Sequence, residues 1–138
     1  MAEVIVPANA HLMAIEFLVA RSEVTAIVGT RVASEVNATR PCLQVELVTG
    51  SEIFRSYFTS EVLDFKSYAE TIGQARILND TTAAVLWDMP GTHVRGAVTG
   101  VTHEAGPHYI PDDRYTNAQG KAMPCLINTF RIFTHPLT

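Results

Sequence analysis

Apolar residues along the chain switch between a helical and a strand-like period, and the switches mark its elements. Pro7 bars an earlier helix and Asn9 is a good N-cap, so a first helix is expected to start there. Leu12, Ile15, Leu18 and Val19 recur three and four residues apart, the stripe of an amphipathic helix. A second short helical turn covers Ser22 to Val28, opened by a capping-type serine and closed by Gly29. From Cys42 to Thr49 the period changes: Leu43, Val45 and Leu47 alternate with Gln44 and Glu46, which predicts a strand with one buried face. Gly50-Ser51 is expected to break it, and a weaker short strand is read over Arg31 to Val36.

Val62 to Tyr68 alternates again, with Leu63 and Phe65 inward and Asp64 and Lys66 outward. The main helix follows over Thr71 to Trp87. Ile72, Ala75, Leu78, Thr82, Val85, Leu86 and Met89 form its buried stripe, and Pro90-Gly91 stops it. Two further strands are read over Val94 to His103 and Leu126 to Thr134. In the last, Leu126, Phe130 and Ile132 share one face while Ile127 and Phe133 occupy the other, so that strand is central or is covered by a partner.

Between those strands, Ala105 to Met123 shows no period and holds the turn formers Pro107, Pro111, Asp112, Asp113, Asn117 and Gly120. A loop beyond about 12–15 residues in a small domain is usually functional or disordered, and Tyr109, Ile110 and Tyr115 supply apolar anchors that favour function. The order predicts a single α+β domain over residues 1–138 with a long loop at 105–123. Its mostly antiparallel mixed sheet of four to five strands carries two helices packed on one face.

Composition narrows the function classes. The formal net charge is −4 and no run of Lys or Arg occurs, so the electrostatic footprint of a nucleic-acid binder is missing. Only 17% of residues are charged, which suggests that part of the surface is covered in an assembly. The start Met1-Ala2-Glu3-Val4 lacks a basic segment and a cleavage site, and no apolar run approaches the roughly 20 residues that span a bilayer. A soluble chain made in a cytosol, with no membrane contact, is the expectation. Cys42 and Cys125 each follow a proline and open a strand; a disulfide would need those starts to be neighbours, and two reduced buried thiols is the simpler reading.

Catalytic chemistry finds little support. His103, His108, Asp112 and Asp113 could in principle gather as a metal site, but their spacing matches no compact ligand motif. No Gly-x-Ser-x-Gly elbow exists, and neither cysteine lies at a helix N-terminus that would activate it. Gly96-Ala97-Val98-Thr99-Gly100 lies within a strand and lacks the Lys-Ser/Thr of a phosphate loop. Glu16 and Glu61 read as isolated surface acids. Asp112-Asp113-Arg114 is either a docking cluster or a turn that keeps the loop solvated. No catalytic residue, metal or cofactor is assigned.

One resemblance gathers these features. The stretch Val24-Thr25-Ala26-Ile27-Val28-Gly29-Thr30-Arg31-Val32 and the Pro-led strand Pro41-Cys42-Leu43-Gln44-Val45 resemble the tail terminator (tail completion) proteins of long-tailed, non-contractile bacteriophages. Ser67-Tyr68-Ala69-Glu70 before Gln74-Ala75-Arg76, and Phe130-Arg131-Ile132-Phe133 after a long loop, are similar to later parts of that pattern. The resemblance implies a non-enzymatic structural protein of the virion, assembled in the host cytoplasm and placed at the head–tail interface. It implies a homo-oligomeric ring, most often a hexamer, that caps the head-proximal end of the tail tube and stops its growth. The implied partners are the major tail tube protein and a head-completion or connector protein, with DNA passing through the lumen unbound. For the head-to-tail contacts of such a ring, two complementary patches are expected. One is Tyr109, Asp112, Asp113, Arg114 and Tyr115 on the loop; the other is the sheet edge near Glu46 and Arg55. The alternatives are another head–tail connector subunit, and a small metal-dependent hydrolase using His103, His108 and Asp112.

Overall fold

The computed structural model describes residues 6–54 and 58–136. Helices α1 (Ala10–Val19), α2 (Ser22–Val28) and α3 (Ile72–Leu86) accompany eight strands: β1 (Val32–Ala33), β2 (Cys42–Phe54), β3 (Phe58–Tyr68), β4 (Gly91–His93), β5 (Gly96–Tyr109), β6 (Asp112–Thr116), β7 (Ala122–Met123) and β8 (Cys125–His135). Six strands form one sheet in the order β1-β2-β3-β8-β5-β4, and β6 and β7 pair as a separate ribbon. Only β1 runs parallel to its neighbour; the other pairings are antiparallel. The architecture is therefore α+β as expected, with three helices and six sheet strands in place of two and four to five.

Local chemistry accounts for the helix ends. The Asn9 side chain accepts from the Leu12 N–H at 2.9 Å, and Thr71 accepts from the Gln74 N–H at 3.2 Å, so both longer helices begin at a side-chain cap. Ser22 is not a cap: it lies inside α2, whose N-cap is Arg21. Gly29 closes that helix at φ +60°, a conformation that a Cβ would disfavour. The inward residues of α1 are Ala10, Met13, Ala14 and Leu18, so of the stripe read from the sequence only Leu18 is fully inward. Two alanines on that side let the helix approach the sheet closely, while Leu12, Ile15 and Val19 flank the contact half-buried.

The core lies between the helices and one face of the sheet. Val24 and Val28 of α2 and Leu78, Val85 and Leu86 of α3 meet Leu43 and Val45 of β2, Leu63 and Phe65 of β3, and Phe130 and Ile132 of β8. Phe65 and Phe130 touch edge to face at 5.9 Å. Strand β8 is central, between β3 and β5, which is why it is apolar on both faces. Ile72 departs from the expected α3 stripe and is exposed.

Three sequence expectations need correction. Gly50-Ser51 does not end β2; the strand continues to Phe54 because Gly50 and Ser51 pair with Glu61 and Ser60. Strand β3 accordingly starts at Phe58. The segment at 105–123 is not a structureless loop: β5 runs on to Tyr109 through irregular register at Ala105, and β6 and β7 form a hairpin. Its lack of period reflects those bulges, since each inserted residue reverses the alternation that a strand pattern relies on.

Candidate assembly surface

The helix-free face of the sheet brings most of the sequence-selected residues together. At one end of it the β6–β7 hairpin folds back over the strand ends. Cys42, Tyr68 and Cys125 stand abreast on β2, β3 and β8, and Met123 and Tyr115 pack over them from the hairpin. Tyr68 organises this corner. Its hydroxyl donates to Asp112 Oδ2 at 2.9 Å, and its ring meets Tyr115 edge to face at 6.1 Å. Burial raises the Tyr68 phenol well above its ordinary range, so it remains a neutral donor to the carboxylate.

Asp112 is clamped from the other side. Arg114 Nε donates to Oδ1 at 3.0 Å and Arg114 Nη2 to Oδ2 at 2.7 Å, a bidentate fork, and the Arg114 backbone N–H also donates to Oδ1. The Arg114 bonds hold the Asp112 carboxyl well below the usual carboxylate range. Arg40 and Arg114 stack over the Tyr115 ring at 5.0 and 5.5 Å. Beyond the pair, Asn117 Nδ2 donates to the Glu70 carbonyl and the Ala118 N–H donates to the Glu70 carboxylate, which ties the hairpin turn to the start of α3. The Ile110 N–H donates to the Cys125 carbonyl and fixes the approach to the hairpin.

Asp112, Asp113 and Arg114 line a cleft of ≈ 340 Å³ together with Lys66, Tyr68 and Ile110. Glu46 joins the same region, because Lys66 Nζ lies 3.4 Å from its carboxylate across the β2–β3 pair. Tyr109 and Ile110, 48% and 54% exposed, project at the end of β5 beside it. Arg55 lies outside the described residues. Further along this face the polar residues are satisfied within the sheet: Thr129 donates to Asp64, and Arg131 binds Glu104 at 3.0 Å and Ser60 at 2.9 Å.

The residues considered for metal binding are not assembled. His103 Nε2 is hydrogen-bonded to Asn128 Oδ1 at 2.9 Å and its ring leans on Phe130, while Asp112 is held by Tyr68 and Arg114. Among the described residues no group of three or more His, Cys, Asp or Glu side chains is placed to hold an ion. Cys42 and Cys125 both align with Tyr68 from opposite sides, so a whole strand separates them. Two inter-strand spacings are about 9–10 Å, beyond disulfide reach. Both thiols are free and buried, and burial pushes Cys125 up to about 11. Glu16 and Glu61 are not isolated: Glu16 pairs with Arg95 at 2.6 Å, and Glu61 accepts from the His11 N–H in the first turn of α1.

Two groups escaped the sequence reading. Tyr68 is the hub of the hairpin corner, and its signal was a large aromatic in phase with the outward Asp64 and Lys66, where its ring needs a cover and its phenol a partner. The second is a relay between sheet and helix. His103 contacts Asn128, whose Nδ2 donates to Asn79 Oδ1 at 3.0 Å, and Asn79 in turn donates to Asp80. Asn79 and Asn128 are buried, and one hydrogen bond between their amides crosses the α3–β8 contact while Asp80 and His103 take up the remaining amide groups.

No protein-family model matches the chain, and no curated protein matches it. Among solved structures the chain is similar to one from the virion of a native gene transfer agent particle. The TM-score is 0.59 at 14% identity, over 91% of this chain and 96% of that one. At that identity the likeness concerns the fold.

Proposed function

We propose that this chain is a structural virion protein, a tail terminator whose copies close into a ring at the head-proximal end of the tail tube. The observation that carries the reading is the fold shared, over nearly the full length of both chains, with a chain of a gene transfer agent virion. The residue pattern from Val24 to Val32 and the Pro-led strand at Cys42 point the same way from the sequence.

In this reading the protein works through its surfaces, with no catalytic role, metal or cofactor. The hairpin corner is a rigid contact element: Asp112, Arg114, Tyr68 and Tyr115 lock one another, so a partner meets Tyr109, Ile110 and Asp113 on a preformed support. The partners are the major tail tube protein on one side of the ring and a head-completion protein on the other, with DNA passing through the lumen.

Electron microscopy of tail tubes from the same virion, mixed with the protein, tests the proposal. Extra density at one end of each tube, with growth halted there, is the expected result. Tubes that keep growing with bare ends would refute it. Density on the portal side instead would favour a different head–tail connector subunit.

A further inference from the structure

Among the described residues the sheet has two long strand edges open over most of their length, and their geometry fits one to the other. On one side, β1 pairs only with Leu43 and Gln44 and the His11 ring of α1 is hydrogen-bonded to the Val45 carbonyl at 2.6 Å, so among the described residues β2 has no strand partner on its outer side from Glu46 to Phe54. On the other side, β4 pairs only with Gly96, Ala97 and Val98, leaving the outer side of β5 unpaired from Thr99 to Tyr109. Leu47 through Ser51 is exposed on both faces, and so are Thr102 to Glu104 and Pro107 to Tyr109. Unpaired N–H and C=O rows of this kind are templates for strand addition. Natural edges are usually blunted by lysine, proline or bulges. β5 carries Pro107 and bulges; β2 has a bulge between Leu47 and Thr49, but from Val45 to Ser51 it has neither Lys nor Pro and exposes Leu47 and Val48 at 48% and 52%.

We infer that the β2 edge of one copy adds to the β5 edge of the next, making the contact that repeats around the ring. This rests on the ring reading above. Three features of the fold commit the edge to a second copy of the same chain. First, β2, β3, β8 and β5 alternate in direction, so the two outer strands are antiparallel. Repeating the unit by rotation about an axis along the strands therefore continues an antiparallel sheet across each contact, the heterologous arrangement that closes into a ring. Second, the open stretches have matching lengths, and the short strands that block them fall clear of each other. An antiparallel register that abuts the neighbour's Phe54 against the end of β4 leaves the neighbour's β1 beyond Tyr109.

Third, the side chains match in that register. Leu47 and Val48 of the neighbour fall beside Ala105 to Pro107. There a cleft of ≈ 240 Å³ opens next to α3, with Ala83, Trp87, Pro107 and Phe130 as its apolar wall and Asn79, Asp80, His103 and Asn128 as its polar one. Trp87 is 52% exposed in the isolated chain and would be covered. Glu46 falls beside His108, an acid beside a base. A pairing of this length supplies up to about ten backbone hydrogen bonds, the number a standard protein–protein interface carries.

The test is cross-linking of the full-length double variant Val48→Cys/Ala105→Cys with a short bis-maleimide, alone and bound to tail tubes. The native thiols are buried and do not compete. The expected result is a ladder of covalent oligomers ending at one closed species, with neither single variant giving a ladder. A second variant, Leu47→Lys/Val48→Lys, should sediment as a monomer while its far-ultraviolet circular dichroism stays that of the native chain, because both positions are half exposed. Capped tubes without a ladder would overturn the edge pairing and leave the terminator reading standing. A ladder without capping would support the pairing and remove the terminator reading. A chain that neither ladders nor associates with itself on or off the tube would overturn the inference, as would a lysine variant that still assembles.

Discussion

At the scale of single residues, Asp112 decides how the hairpin corner is held. It accepts from Tyr68, the Arg114 guanidinium and the Arg114 backbone, and these bonds favour its ionised form. A carboxyl whose native pKa is depressed adds stability that is fully present above its unfolded value and is lost as pH falls toward the native one. The unfolded value is about 4. Asp112→Asn should therefore lower the urea midpoint at about pH 7, and its deficit against the native chain should shrink by about pH 3. A deficit of equal size at both pH values would show that the ionised carboxylate is not what holds the hairpin. Tyr68→Phe, which removes one donor and keeps the ring on Tyr115, should weaken the same corner by about 0.5–1.5 kcal/mol.

At the scale of elements, α3 and β5 make different demands on the sequence. Leu78 is fully buried on α3 against the sheet, so Leu78→Ala should cost about 2–5 kcal/mol in denaturant unfolding through the cavity it leaves. A cost near zero would mean that the helix packs by another face. On β5 the sensitive position is Gly106, at φ +96°, where a Cβ would meet the Ile127 carbonyl at 2.5 Å. Gly106→Ala should cost roughly 1–3 kcal/mol from the backbone conformation alone, with the steric contact in addition. Proteolysis of that variant should first cut near the hairpin, because Gly106 sets how β5 reaches Tyr109. An unchanged melting temperature would remove the bulge from the account of this region.

At the scale of the whole molecule, three helices and the β6–β7 hairpin lie on opposite faces of one sheet, and β8 touches both sets. Trp87, the single tryptophan, packs on Phe130 of β8 at 5.7 Å and so reports the contact between α3 and the sheet. If the chain is one cooperative domain, Trp87 fluorescence and far-ultraviolet circular dichroism should lose signal at the same denaturant concentration. Separate midpoints would indicate that the helical layer releases before the sheet. A sheet with both edges largely open among the described residues suits a subunit built for assembly better than a free-standing monomer, for which such edges are a liability.

The local sequence carried the parts of this protein that depend on near neighbours. Asn9 announced its helix because a cap is a contact over three residues, and Thr71, where the main helix was expected to start, caps it in the same way. The α3 stripe and the inward Leu63 and Phe65 were legible because burial of one face imposes a period. The doubly apolar Leu126 to Phe133 marked a central strand for the same reason. What tertiary structure decided are matters of long separation in sequence. The bulges of β5 erased the period, so a paired strand and a hairpin read as a loop. Gly50 stays in a strand because Glu61 pairs with it, against its local preference. Strand order set Cys42 and Cys125 a strand apart, tied Asp112 to Tyr68, and left β2 and β5 covered only in part by the short edge strands β1 and β4. None of these follows from spacing, because each depends on which distant segments the shared core brings side by side.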